Sequence, residues 1–390
     1  MPDGRSFTHP SRDAEYSAIV YGGPDASIPD LARYMQDQRP EPHGYRVLWG
    51  EIHGHSEVSD GRGTPDDYYR AARDDAGLDF CALTDHDHGG VGRTELWGEK
   101  WDLIQSKVAE YHDPGRFVTL LGYERDSSPW YSNLCLYYRE GEGDMVRGER
   151  DGHITRDELA DLLARDDILS IPHHTTTLNQ GVNFEAIPPE LWTPLIEVYS
   201  KWGTSEYFGN PRPTTHESPF GHWRDALVLG ARMGCVAGSD VHSPHPGMDH
   251  HAGGNLRYDE PGLVALLAED LTREAIFEAL RSRRCYAATG ARILIDLRVA
   301  GVVMGQETQV ARGEARPIRL TIQGGAPLQT VATVKNGRDY FVAHLDGSTD
   351  SYELIVDDYK PERATDYYYV RVTRCDGRQA WSSPIWVAAG

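Results

Sequence analysis

Residues 46–67 read Arg-Val-Leu-Trp-Gly-Glu-Ile-His-Gly-His-Ser-Glu-Val-Ser-Asp-Gly-Arg-Gly-Thr-Pro-Asp-Asp. Arg46–Ile52 has the apolar, branched texture of a strand, and it runs out into His53-Gly54-His55 and then Ser59-Asp60-Gly61. At Thr64-Pro65-Asp66-Asp67 a helix opens: Thr caps it, Pro takes the first helical position, and acids fill the first turn. Strand, imidazole- and carboxylate-bearing exit, helix: this is the unit whose repetition decides the fold.

The unit recurs outward along the chain. Gly77 closes the first helix, and Leu78–Thr84 reads as a strand leaving into Asp85-His86-Asp87-His88. Arg116–Leu121 leaves into Gly122-Tyr123-Glu124, Ile168–Pro172 into His173-His174, and Leu195–Tyr199 carries Glu197. Cys235–Gly238 leaves into Ser239-Asp240-Val241-His242. Asp157–Asp166, Trp223–Met233 and Thr272–Arg283 read as helices. Strands alternating with helices imply parallel βαβ units, so residues 45–290 are expected to form an α/β barrel. Residues 1–44, rich in Pro, Gly, Asp and Arg, read as an N-terminal arm. After Gly290 the runs Ile293–Val299, Ile318–Ile322, Thr330–Lys335, Tyr340–His344, Tyr352–Val356, Tyr367–Thr373 and Ile385–Ala388 are strand-like, with Asn336-Gly337 as a hairpin turn. Residues 291–390 are therefore expected to form an all-β sandwich-like domain.

Composition narrows the function. The chain has 390 residues, with Lys plus Arg at 39 and Asp plus Glu at 60, a formal charge of −21. A surface this acidic repels nucleic acid and anionic lipid, leaving a small molecule, anionic if a local pocket is positive, as the expected partner. No apolar run is long enough to span a bilayer, and Met1–Arg5 does not begin a signal peptide. The five cysteines are scattered without a CxxC pair, the usage of a reducing compartment, so a cytoplasmic protein is expected. The 17 histidines stand out because many cluster with carboxylates.

In a parallel barrel the C-terminal strand ends converge on one face, and here nearly every such end carries His, Asp or Glu. Imidazole and carboxylate donors without thiolates suit Zn, Mn or Fe(II), and more than four donors suit a multinuclear site. Each motif alone has an ordinary reading: a solvated HxH pair, Asp85 as a turn cap, Glu124 as a surface carboxylate, Ser239-Asp240 as a helix cap. His173 and His174 should point to opposite sides if the strand continues through them. The conjunction of all these strand ends is what points to metal.

These motifs, in this order and spacing, resemble those of the polymerase-and-histidinol-phosphatase (PHP) superfamily over about residues 45–290. Thr272–Gly290 and Ala380-Trp381-Ser382-Ser383-Pro384-Ile385 resemble a branch that adds a C-terminal β-domain. The resemblance implies a distorted (β/α)7 barrel, two or three divalent ions (Mn, Fe or Zn), and phosphoester hydrolysis through a metal-bridging hydroxide. It assigns His53, His55, Glu124 and Asp240 to one metal, with Glu124 bridging, and Asp60, His86 and His242 to another. His173 or His174 would serve a third. Relatives place a further His just before an Asn after the Gly-Tyr-Glu motif, whereas this chain has Tyr131-Ser132-Asn133-Leu134. The remaining ion would then bind weakly, be absent, or be served by Glu197 or the spare histidine.

On the substrate side, Arg125, Lys201 and Arg212 are the candidate cations for an anion's oxygens. The insertion Trp202–Trp223 offers Trp202, Tyr207, Phe208 and Trp223 for stacking on an organic group. The loop Ser243–Tyr258 offers His245, His250 and His251, with His245 a candidate proton donor to the leaving group, alongside whichever of His173 and His174 is not a ligand. Three functions are compatible: a phosphoesterase on a small organic phosphate, a metal-dependent hydrolase of an amide or lactone, and a metal-bearing binding module. The β-domain would shape the pocket or build a homo-oligomer.

Overall fold

The computed structural model describes residues 44–87, 96–126, 130–131, 133–146, 154–178, 180–250 and 257–390. The N-terminal arm, His88, Ser132 and His251 fall outside the described residues. Residues 45–390 form one compact unit.

The first half follows the strand–helix alternation only in part. Strand β1 (Arg46–Glu51) leads to helix α1 (Pro65–Arg70), which starts where expected: Thr64 accepts from the Asp67 N–H and Asp67 answers with its carboxylate. Then come β2 (Phe80–Leu83), α2 (Glu99–Tyr111), β3 (Val118–Asp126), β4 (Asn133–Tyr138), α3 (Arg156–Ala164), β5 (Ile168–His173), β6 (Leu195–Ser200), the short β7 (Gly203–Thr204), α4 (Trp223–Leu229), β8 (Gly234–Ala237), β9 (Gly262–Ala268), α5 (Arg273–Arg281) and β10 (Cys285–Thr289). Helix α2 escapes a capping search because its N-cap is Gly98, at φ +57°, with no side-chain cap.

The pairing departs in part from the parallel βαβ units expected of a distorted (β/α)7 barrel. β1, β2 and β3 pair in parallel, as do β6 and β8. β4 is antiparallel to both β3 and β5, and β9 is antiparallel to β1 and β10. The reason is chain length: only residues 127–132 join β3 to β4, too few for the crossover a parallel neighbour needs. β6, β7 and β8 form a sheet of their own, so among the described residues no continuous ladder joins β5 to β6. Strands dominate, and the described residues hold five α-helices. The core beneath the strand exits is aliphatic and aromatic: Leu48, Ile52, Phe80, Leu120, Val236, Val264, Leu266, Ile276 and Phe277 are all buried.

The C-terminal residues are all-β, as expected: β11 (Leu294–Val299), β12 (Val302–Val303), β13 (Glu307–Val310), β14 (Arg316–Gln323), β15 (Leu328–Lys335), β16 (Arg338–His344), β17 (Ser351–Asp358), β18 (Thr365–Arg374), β19 (Gln379–Ser382) and β20 (Ile385–Ala389). Asn336 and Gly337 sit at φ +52° and +79° between β15 and β16, the primed turn that Asn-Gly favours. One sheet of 13 strands runs unbroken across Gly290, because β19 pairs with both β10 and β18. The β-strands also brace the loop that follows β7. Buried Glu206 accepts hydrogen bonds from Tyr369 Oη at 2.8 Å, Arg371 at 2.6 Å and Trp381 Nε1 at 2.7 Å.

Candidate metal centre

The exits of β1 and β8 lock together although the two strands lie in different sheets. Asp240 N–H donates to the His53 carbonyl at 2.9 Å, and His55 N–H donates to the Val241 carbonyl at 2.8 Å. Glu51, fully buried, accepts from the backbone N–H groups of His53 and Ser239, both at 2.9 Å, and from the Ser239 hydroxyl. Burial pushes the Glu51 carboxyl up to about 7 against these hydrogen bonds. Asp85 caps the loop after β1 rather than the turn after its own strand. It accepts from Ser56 N–H, Ser56 Oγ and Ser59 Oγ at 2.8, 2.7 and 2.6 Å, and so shapes the loop that delivers Asp60.

All the sequence-derived metal candidates converge here. Their donor atoms form four overlapping groups, each spanning no more than 4.8 Å: His55, Asp60, His86 and His242; His53, His55, Glu124 and Asp240; His53, His173 and Glu197; and His173, His174 and Asp240. In the first group the His55 ring stacks against both that of His86 and that of His242, 4.3 Å from each. Asp60 Oδ1 lies 3.6 Å from His86 Nε2 and 3.3 Å from His242 Nε2. In the second, Glu124 Oε2 is 3.1 Å from His53 Nε2 and 3.2 Å from His55 Nε2, while Asp240 Oδ1 is 3.1 Å from His55 Nε2.

One expectation is corrected by backbone geometry. His173 and His174 do not face opposite sides; both reach Asp240 Oδ2, at 3.3 Å each. β5 ends at His173 and His174 turns into the left-handed region at φ +54°, which folds its ring back beside that of its neighbour. Asp240 sits at the same φ of +54°. Two non-glycine residues held in this sparsely populated region, both at the cluster, are the strain that packed functional sites sustain.

The electrostatics call for a cation. Glu124 and Asp240 are held well below the usual carboxylate range: burial alone would raise them, and the surrounding histidines outweigh it. His173 is pushed up to about 9, the Glu197 carboxylate overcoming burial, and His53 is raised well above its ordinary value against burial, by Cys135 and Glu197. Buried carboxylates that hold protons on neighbouring imidazoles attract a divalent ion equally well, because the ion replaces those protons. His55 Nδ1 is buried with no hydrogen-bond partner. An orphaned imidazole nitrogen, hard oxygen donors and no thiolate in any group fit Zn, Mn or Fe(II) ions.

The substrate-side candidates fall elsewhere. Arg125 is buried and paired with Asp87 at 3.2 Å, and it donates to the Val146 carbonyl at 2.7 Å. Lys201 is buried and donates to the carbonyls of His250 and Asp259 at 2.8 and 2.6 Å, and burial brings its amine down to about 8. Arg212 pairs with Glu260 at 2.8 Å and lies over the Tyr258 ring. All three are therefore committed to holding loops. Trp223 is core, donating to the Met233 carbonyl, and Tyr207 lies between Arg224 and Arg371. Of the proposed aromatics, Trp202 meets the cluster, edge-on to His174 at 5.1 Å, while Phe208 is exposed. His245 stacks on His250 at 4.1 Å and belongs to none of the four donor groups. Sequence reasoning missed Glu51 and Asn133. Asn133 Nδ2 donates to Glu124 Oε1, and its place in the motif that carries the resemblance was the available signal.

Comparison with known proteins adds kinship without chemistry. Residues 232–339 match a family described as "Protein of unknown function (DUF3604)". An uncharacterized protein of Chlamydia pneumoniae is 31% identical over 365 residues, covering 87% of this chain and 57% of the relative. An uncharacterized protein of Chlamydia trachomatis is 29% identical over 366 residues, with the same coverages of 87% and 57%. The chain thus spans little more than half the length of these relatives. Among solved structures, a two-domain protein from Bacteroides vulgatus containing a predicted PHP-like metal-dependent phosphoesterase is 15% identical. It covers 90% of this chain and 97% of its own, with a TM-score of 0.47. No helix among the described residues is long and apolar enough to cross a membrane.

Proposed function

We propose that this chain is a metal-dependent hydrolase holding two or three divalent ions, Mn, Fe or Zn, and acting on a small organic phosphate. The observation that carries the reading is the sharing of donors between adjacent groups: His55 belongs to both the Asp60 and the Glu124 groups, and Asp240 to both the Glu124 and the His174 groups. Bound ions would supply Lewis acidity and a water-derived nucleophile at neutral pH.

The chain's own residues do the rest. Asp60, His86 and His242 would hold one ion, and His53, His55, Glu124 and Asp240 its neighbour. Glu124, with Asn133 on one oxygen and two imidazoles on the other, is held where it can face both. His174 and Trp202 wall one side, where an organic group can rest. Arg62 is exposed and its backbone N–H donates to the His242 carbonyl at 3.1 Å, so it is an exposed cation on the loop that carries Asp60.

Hydrolysis of an amide or lactone is the second reading. It is favoured by one observation: Arg125, Lys201 and Arg212 are each bound to protein partners, so phosphate recognition would fall to the ions and Arg62. The test is a panel of phosphomonoesters, phosphodiesters, amides and lactones with Mn²⁺-, Fe²⁺- and Zn²⁺-loaded protein, run beside Asp240→Ala. Turnover of a phosphoester that Asp240→Ala abolishes supports the proposal. Turnover of only the non-phosphate substrates overturns its substrate class, and metal-independent turnover overturns it altogether. A cytoplasmic location and a homo-oligomer built through the β-strands belong to the same proposal, checked by fractionation and by light scattering.

A further inference from the structure

Glu197 lies within β6, buried, and its two carboxylate oxygens take different histidines from different strands. Oε2 is 2.8 Å from His53 Nδ1, and Oε1 is 2.5 Å from His173 Nδ1. In both imidazoles it is thus Nδ1 that meets Glu197. The opposite nitrogens point the other way: His53 Nε2 is 3.1 Å from Glu124 Oε2 and 3.8 Å from Asp240 Oδ1, and His173 Nε2 is 3.3 Å from Asp240 Oδ2. The two rings meet edge-on, 4.2 Å between centroids.

The carboxylate is also sterically confined. A Cβ on Gly238 would stand 2.4 Å from Glu197 Oε2 and 2.4 Å from His53 Cβ. The β8 exit therefore packs its bare backbone directly against the Glu197–His53 contact.

We propose that Glu197 is a positioning residue that holds the Nδ1–H of His53 and His173 together, and so turns both Nε2 atoms toward Glu124 and Asp240, rather than donating to an ion itself. This rests on the metallohydrolase reading above. An imidazole that gives Nε2 to a metal keeps its proton on Nδ1, and a carboxylate accepting that proton fixes tautomer and ring orientation. One carboxylate doing this for two histidines couples their placement. It also removes Glu197 as the substitute for the histidine missing around Ser132.

The test combines metal titration with NMR of ¹⁵N-histidine protein. In wild-type protein stripped of metal, both Nδ1 protons should give exchange-protected resonances, and Glu197→Gln should lose at least one, since its amide can accept from only one imidazole. Titrated with Mn²⁺, Glu197→Gln should bind as many equivalents as the wild type with a Kd raised about 10–100-fold. Loss of one whole equivalent with the others unchanged would make Glu197 a ligand and overturn the proposal. So would absence of protected Nδ1 protons from the wild type, a reading that holds even if the variant does not fold. If the wild type binds no metal, the metallohydrolase reading fails, and the proton resonances still decide whether Glu197 holds both imidazoles.

Discussion

Asn133 Nδ2 donates to Glu124 Oε1 at 2.7 Å across the antiparallel pair of β3 and β4. The other oxygen of Glu124 is thereby left to face His53 and His55. An amide from a neighbouring strand fixes the rotation of the carboxylate that sits between the donor groups.

Asn133→Ala should therefore weaken metal binding without removing a donor. The expected loss is about 10–100-fold in affinity with unchanged stoichiometry, the size found when an outer partner of a ligand is deleted. Elemental analysis after dialysis against graded metal concentrations checks it. Affinity equal to wild type would show that Glu124 needs no such partner.

Asp60 and Asp240 should be unequal. Asp60 serves one donor group and Asp240 serves two. Asp60→Asn is expected to lose one equivalent of metal, while Asp240→Ala loses more and drops turnover by at least about 100-fold. Equal metal content in the two variants would contradict the sharing of Asp240.

Gly238→Ala should disturb the centre from behind. Its added Cβ falls within 2.4 Å of both Glu197 and His53, so one must move. Overpacking of this kind costs about 1–3 kcal/mol, read as a lowered denaturation midpoint, and the displaced His53 should lower metal affinity together with stability. A variant as stable as wild type with full affinity would mean that the β8 exit yields freely.

Lys201 gives a pH signature apart from the donor groups. Its amine is buried and brought down to about 8, below the ordinary 10.5. Between those values the unfolded chain binds the proton that the folded chain does not, so this group's contribution makes stability rise with pH from about 8 to about 10.5. Below 8 the cost of the buried charge is present in full, about 3 kcal/mol. Comparing wild type with Lys201→Met by denaturant melts at pH 8 and pH 10 isolates the term: the difference should shift in favour of the wild type at the higher pH. A pH-independent difference would refute it.

Much of the centre was legible in the primary structure, because metal chemistry restricts the side chains that can serve. His53, His55, Asp60, His86, Glu124, Asp240 and His242 follow strand-like runs, and strand ends are where a chain can present several donors to one point. The N-cap at Thr64 and the turn at Asn336-Gly337 were equally local, set by a side-chain hydrogen bond and by a backbone conformation that few residues tolerate. What followed from long-range geometry was not legible. That β4 and β9 run antiparallel depends on which edge each meets, and both histidines of the 173–174 pair face Asp240 only because His174 leaves the extended region.

The cations show the same division. Arg125, Lys201 and Arg212 have the right chemistry for an anionic substrate, and a linear chain cannot show that Asp87, two backbone carbonyls and Glu260 already hold them. Sequence alone determined which chemistry this chain can carry, since donor type is a property of single residues. Tertiary structure decided which donor atom faces inward, which carboxylate meets two imidazoles at once, and which charge is engaged elsewhere, because these depend on distances of a few ångströms between residues as far apart as His53 and Glu197.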